Sequence, residues 1–183
     1  EKNRNLKDLK KKILQERLTE KNFISDYKIH YNPLKKILKF EYTCPEPLMK
    51  VQIFKEERMD SYEAILVTNG ELYDPTYEVL LRSDGLLDYE LPYLAIPVGE
   101  MEKDLQDRIS KLVTSMGVNF RKKLSEVILE ENGELTIILS VRGEPSSVFL
   151  GQKRWDKKII KLIRLVGHME EKGRVPSIIN LTN

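Results

Sequence analysis

Two hydrophobic periods alternate along this chain. Leu6, Leu9, Ile13 and Leu18 share one helical face, with Leu14 near its edge, which predicts a first helix over residues 6–18. Residues 25–31 read as extended, and Asn32-Pro33 marks a turn. The period then drops to two over residues 37–43, with Leu38, Phe40 and Tyr42 on one side and Lys39 and Glu41 on the other. Pro45 and Pro47 interrupt strand pairing. They predict a boundary between a small unit, residues 1–47, and a larger one, residues 48–183. A helix-strand-turn-strand unit of that size is small for an independent core.

The second unit is richer in strands. Met49, Val51 and Ile53 alternate with polar residues, and a charged loop is expected over residues 56–61. Asn69-Gly70 and Asn132-Gly133 are the strongest short-range hairpin signals. They predict one hairpin from residues 64–67 and 71–73 and another from 127–129 and 135–141. Residues 74–89 look less regular, with a turn at Asp84-Gly85, and Leu91-Pro92-Tyr93-Leu94 leads to Gly99. Met101, Leu105, Ile109, Leu112 and Met116 predict a helix closed by Gly117. The C-terminal part reads strand, helix, strand. Val148-Phe149-Leu150 stops at Gly151. Trp155-Asp156 opens a helix with apolar Ile159, Ile160, Leu162, Ile163, Val166 and Met169. Gly173 and Pro176 end it before a last strand, residues 177–181. The expected class is α+β: a small helix-and-hairpin unit, then a mostly antiparallel β domain with two covering helices. The last helix should cover the sheet of the two hairpins, with Leu162 in the core.

Composition narrows the function classes. Charged residues make up 33% of the chain and apolar ones 40%, with a net charge of +2. Both signs are interspersed, and no zinc-finger, basic-helix or RNA-binding pattern is present, so nucleic acid is not an expected partner. The Lys7, Lys10, Lys11, Lys12 cluster reads as the solvated face of an amphipathic helix; a membrane-surface or anion patch is the other reading. The lone Cys44 allows no internal disulfide and reads as a small turn or buried residue. No run of about 18 apolar residues is present, so no transmembrane helix is expected. The polar, basic start at Glu1 is unlike a signal peptide, and a start without methionine reads as a fragment or processed form.

Catalytic signals are weak. His30 and His168 have no neighbouring His or Cys at ligand spacing, so no metal is expected. Gly143-Glu144-Pro145-Ser146-Ser147 is not a nucleophile elbow, and no phosphate-binding glycine loop occurs. Glu56-Glu57, Glu130-Glu131 and Glu170-Glu171 are adjacent pairs whose carboxylates point apart on a helix or strand. No catalytic residue and no cofactor is nominated, and a small hydrolase with an unrecognised site stays as a remote alternative. Trp155 has two readings: an exposed binding anchor, or a helix-start residue covering the sheet. The chain ends on an apolar strand, Ser177, Ile178, Ile179, Asn180 and Leu181, which predicts an open sheet edge suited to strand addition. Proline at Ile179 is expected to harm partner binding more than folding.

Leu150-Gly151, Trp155, Lys158, Leu162, Gly173-Arg174, Pro176 and Ile179-Asn180-Leu181 form a spaced series. It resembles the end of the extracytoplasmic region of the bacterial cell-division FtsQ (DivIB) family. In that family a strand ends in Leu-Gly, a Lys-Leu-rich helix follows, and after a Gly comes a strand containing Asp-Leu-Arg. Leu66-Val67, Gly70 and Tyr73 resemble the family's Leu-Val-Asp…Gly…Phe hairpin, and Leu91-Pro92, Leu94 and Gly99 its Leu-Pro…Gly segment. Residues 1–47 are similar to the end of its POTRA domain. Departures are Asn180-Leu181-Thr182 in place of Asp-Leu-Arg, Thr68 in place of Asp, and Tyr42-Thr43-Cys44-Pro45 in place of Glu-Arg-x-Pro, with Glu41 one position early. The first POTRA strand is not visible.

The resemblance implies a divergent, non-enzymatic divisome scaffold: a POTRA-like unit incomplete at its start, then a β domain. It implies a single-pass anchor in the inner membrane with this region in the periplasm. Partners of the FtsB and FtsL type would pair at the last strand, with Trp155 and residues 177–181 as contacts. The alternative binding module is a POTRA-type docking domain of an outer-membrane assembly system.

Overall fold

The chain separates into two units, Glu1–Glu46 and Pro47–Asn183. The computed structural model describes residues 5–16, 18, 22–54, 61–83, 85, 87–96 and 102–183. Expectations placed on residues 56–60, Asp84, Gly99 and Met101 lie outside the described residues.

In the first unit, helix α1 (Leu6–Gln15) starts where the Asn5 side chain accepts the Lys7 amide hydrogen at 3.1 Å. Its half-buried face is Leu6, Leu9 and Ile13, while Leu14, Lys7, Lys11 and Lys12 stay exposed. It packs on an antiparallel hairpin of β1 (Asp26–Asn32) and β2 (Ile37–Thr43). Asn32 Oδ1 tightens the turn by accepting from the Leu34 and Lys35 amides. Cross-strand Tyr27–Tyr42 and Ile29–Phe40 pairs lie on the helix side of the hairpin, with the Tyr27 and Phe40 rings 5.8 Å apart. Cys44 is exposed.

The second unit is one sheet of eight strands among the described residues. They are β3 (Pro47–Phe54), β4 (Ser61–Val67), β5 (Leu72–Tyr73), β6 (Tyr93–Ala95), β7 (Leu124–Leu129), β8 (Leu135–Val141), β9 (Glu144–Gly151) and β10 (Ile178–Asn180), in the order β10-β9-β8-β7-β6-β3-β4-β5. The fold is α+β. Its antiparallel ladders, β3/β4, β4/β5, β7/β8 and β8/β9, outnumber the parallel ones, β3/β6, β6/β7 and β9/β10. Parallel pairing here follows from the helical crossovers between those strands.

A single register line crosses seven strands: Ala64, Val51, Leu94, Val127, Ile137, Val148 and Ile179. All seven are buried. Helix α3 (Lys103–Ser115) lies over β3 and β4, helix α5 (Trp155–Lys172) over β9, and the two helices touch. Ile109, Leu112 and Val113 of α3 and Ile159, Leu162 and Val166 of α5 complete this core. Leu162 is 0% exposed, as its helical phase predicts, but Ile160 is 55% exposed and leaves the apolar face assigned to it. It follows Ile159 by 100° and so turns off the sheet.

The "less regular" stretch contains helix α2 (Thr76–Ser83). Asp74 Oδ1 accepts from the Thr76 amide and hydroxyl at 2.9 and 2.6 Å, and Pro75 precedes the first turn. Glu78 bonds Arg82 one turn on at 2.8 Å. Glu78 also meets Lys50 of β3 at 2.9 Å, and Lys50 lies 5.4 Å from the Tyr93 ring. Ile65, Lys50 and Tyr93 share the sheet face away from the buried row, so α2 caps that face at the β3/β4 end. A further short helix, α4 (Val118–Arg121), follows the left-handed Gly117. Strand β9 begins at Glu144, earlier than the apolar run at Val148. Pro145 fits there because β10 reaches only Ser147 to Phe149 of β9.

Candidate partner-binding edge

Among the described residues, strand β10 is the last strand on one side of the sheet and pairs only with β9, in parallel. The Ser147 amide donates to the Ser177 carbonyl and the Leu181 amide to the Phe149 carbonyl, both at 2.8 Å. Backbone groups alternate sides along a strand. Ser177, Ile179 and Leu181 therefore turn their N–H and C=O toward β9. Ile178 and Asn180 turn theirs outward, with no strand beyond them among the described residues.

Side chains alternate in the other sense. Ile179 and Leu181 are buried under α5, whereas Ile178 is 63% exposed and Asn180 is exposed. Ile178 stands beside Ser147 and Asn180 beside Phe149, on the face that α3 and α5 leave uncovered. Phe149, half out of the core, extends the apolar surface next to the edge. It was not singled out from the sequence. Its signal is its phase, between the buried Val148 and Leu150.

The edge is held at both ends. Ser146 Oγ, fully buried, donates to the Pro176 carbonyl at 2.8 Å before β10. After it, Asn180 Oδ1 accepts from the Thr182 amide and hydroxyl at 3.0 and 2.8 Å. Lys158 Nζ of α5 donates to the carbonyls of Leu150 and Thr182, at 2.7 and 3.0 Å, clamping the chain end to β9. The Thr182 amide is thus already used, so the outward groups on offer belong to Ile178 and Asn180. Short edges of this kind restrict indiscriminate pairing.

Two expectations change here. Trp155 is 7% exposed, and its indole N–H donates to the Gly151 carbonyl at 2.7 Å. The Arg108 guanidinium lies 4.7 Å from its ring. Trp155 is a cover for the end of β9, not an exposed anchor, because its only polar group is spent inside the fold. Proline at Ile179 is a poor probe of the edge, since that N–H faces β9; the outward positions are 178 and 180.

His30 lies 3.8 Å from Glu41 and His168 4.0 Å from Glu171, all on exposed surfaces. No group of three or more His, Cys, Asp or Glu side chains that could hold a metal occurs among the described residues. No described helix is long and apolar enough to cross a membrane.

No family model matches the chain. No curated protein matches it either. Among solved structures, it is similar to the major extracytoplasmic domain of the trans isomer of the cell-division protein DivIB from Geobacillus stearothermophilus. The two share 11% sequence identity at a TM-score of 0.37, over 73% of this chain and 99% of that chain.

Proposed function

We propose that this chain is a non-enzymatic scaffold of the bacterial division machinery that holds a partner by strand addition at β10. The observation that carries the binding reading is the edge itself: the backbone groups of Ile178 and Asn180 point outward, with Ile178 and Phe149 beside them as apolar contacts for alternate side chains of an added strand. The division setting rests on the ordered resemblance of Leu150-Gly151 through Ile179-Asn180-Leu181 to the FtsQ family. In this reading the partners are extracytoplasmic segments of FtsB- and FtsL-type proteins. Within the stretch Ser177, Ile178, Ile179, Asn180 and Leu181, the partner contacts are Ile178 and Asn180, which supply the backbone bonds, while Ser177, Ile179 and Leu181 tie the strand to β9. The first unit serves as the POTRA-like part and the second as the β domain. The full-length protein is anchored in the inner membrane by one span, with this region in the periplasm.

The test is calorimetric titration of the chain with the extracytoplasmic segment of an FtsB-type partner from the same organism. Ile178→Pro removes one outward donor, worth about 0.5–1.5 kcal/mol, and obstructs the approaching strand, so affinity should fall about tenfold or more. Unchanged affinity in a folded Ile178→Pro protein would remove the edge from the binding site.

A further inference from the structure

A second surface of the β domain has a charge its composition does not predict. Residues 47–183 carry 19 basic and 22 acidic side chains, a net excess of acid. Yet cations converge around the start of α5. A cavity of about 470 Å³ between α3 and α5 is lined by Arg108, Lys111, Lys153, Arg154, Trp155 and Asp156, among others. A second cavity, of about 380 Å³, shares Lys153 and Arg154 and adds Lys157, Lys158 and Lys161, reaching the chain end at Thr182 and Asn183. Among the described residues, Asp156 is the only acidic side chain lining either cavity.

Arg108 is engaged with Trp155, and Lys158 with two carbonyls. Lys111, Lys153, Arg154, Lys157 and Lys161 are exposed, and none has a carboxylate partner among the described residues. Elsewhere in this domain Lys50, Arg82, Lys103, Lys122 and Lys123 each meet one. The placement also runs against local helix preference. Cations are unfavourable in the first turn of a helix, where the backbone dipole is positive, yet Lys157 and Lys158 sit there next to Arg154. Like charges so gathered raise the local positive potential. Such local conflicts concentrate at functional sites.

We propose that these two adjoining cavities form a binding site for a ligand carrying at least two phosphate-type groups, one in each lobe, bridged at Lys153 and Arg154. The lobes share cations, so a polyanion spanning both meets more charge than a single anion in either. The shared chemistry fits two sources: the headgroups of anionic phospholipids and soluble phosphoryl compounds. The site is separate from the outward backbone groups of β10 and does not depend on the partner reading.

Trp155, the single tryptophan, lines the first cavity and reports on it by fluorescence. Inorganic tripolyphosphate is titrated into the full chain at low and at about 150 mM salt, and a parallel arm measures co-sedimentation with vesicles of phosphatidylglycerol against neutral phosphatidylcholine. Saturable tripolyphosphate binding with a change in Trp155 emission is expected, weakening at least tenfold in Lys157→Glu/Lys161→Glu. Because glutamate suits the first turn of α5, where Lys157 sits, and Lys161 is exposed, that variant should melt at the same temperature as the parent or higher, which separates lost binding from lost folding. The Lys35→Glu/Lys36→Glu variant, which makes the same charge change in the first unit, should bind like the parent. Retention on phosphatidylglycerol vesicles that needs Lys157 and Lys161 assigns the lipid source; tripolyphosphate binding without vesicle retention assigns the soluble one. No saturable binding in either arm, or equal loss in both variants, overturns the proposal.

Discussion

Adjacent residues of β10 should respond oppositely to the same substitution. Proline at Ile179 removes an N–H that faces β9, whereas proline at Ile178 removes one that faces outward. For Ile179→Pro the losses are one ladder hydrogen bond, about 1 kcal/mol, and a carbonyl on β9 left without its donor, about 1–3 kcal/mol. Part of a side chain that is 5% exposed is also lost, adding roughly 1 kcal/mol. The total is about 3–5 kcal/mol. For Ile178→Pro none of these terms applies, and the cost should stay within about 1 kcal/mol. Urea melts monitored by circular dichroism give the comparison directly, without any partner. Amide exchange adds a local readout: Ile179→Pro should speed exchange at Ser147, whose partner is the Ser177 carbonyl, while Ile178→Pro should not. Equal destabilisation by the two prolines, or a larger effect at 178, would show that the alternation is assigned the wrong way round and would remove the basis for the open edge.

Leu162→Ala, at a position 0% exposed, should cost about 2–5 kcal/mol, while Ile160→Ala should cost under about 0.5 kcal/mol; thermal melts that reverse this order would refute the phase of α5. Glu78 gives a pH signature. Burial pushes its carboxyl up, but Lys50 and Arg82 outweigh burial and leave it below its ordinary value of 4.5. A lowered folded value means stabilisation that is present above the unfolded value and lost as pH falls through the folded one. Lys50 mirrors it: burial pulls its ammonium down, Glu78 outweighs that and raises it above 10.5, so its share is present below 10.5 and lost as pH rises through the folded value. Glu78→Gln should therefore cost about 1–3 kcal/mol at pH 7 and shrink toward the parent near pH 3 in denaturant titrations; a pH-independent difference would refute the ion pair.

The two Asn-Gly hairpins, the turn at Asn32 and the strand-helix-strand ending at Leu181 were legible because each is written in consecutive residues. Helix α2 was legible in part and missed: Asp74-Pro75-Thr76 is a start signal, but eight residues give too few turns to show a period. The parallel neighbours of β6 could not be read. Three apolar residues, Tyr93 to Ala95, carry no mark of which strands flank them. The edge was foreseen at Ser177 to Leu181, but which of those residues face outward depends on the register against β9. Between the two readings of Trp155, anchor and cover, sequence cannot choose, because it does not show that a carbonyl waits for its N–H. The cations around α5 escaped notice because Arg108 and Lys111 lie more than 40 positions upstream of Lys153 and meet it only in the folded chain.

The strand order has a kinetic consequence. Strands β3, β4 and β5 form one block of sequence neighbours, and β7, β8 and β9 form another, each closable by short loops. Among the described residues, only the three of β6 join them within the sheet, in parallel on both flanks. Short-range antiparallel pairs close cheaply, whereas the parallel seam waits for α2, α3 and the loops around them to settle. Folding would thus proceed as two half-sheets that meet late at Leu94, and the buried row from Ala64 to Ile179 becomes continuous only at that meeting. Until then each half-sheet presents an unpaired edge, β3 on one side and β7 on the other. In that interval both edges are open to pairing with a second chain.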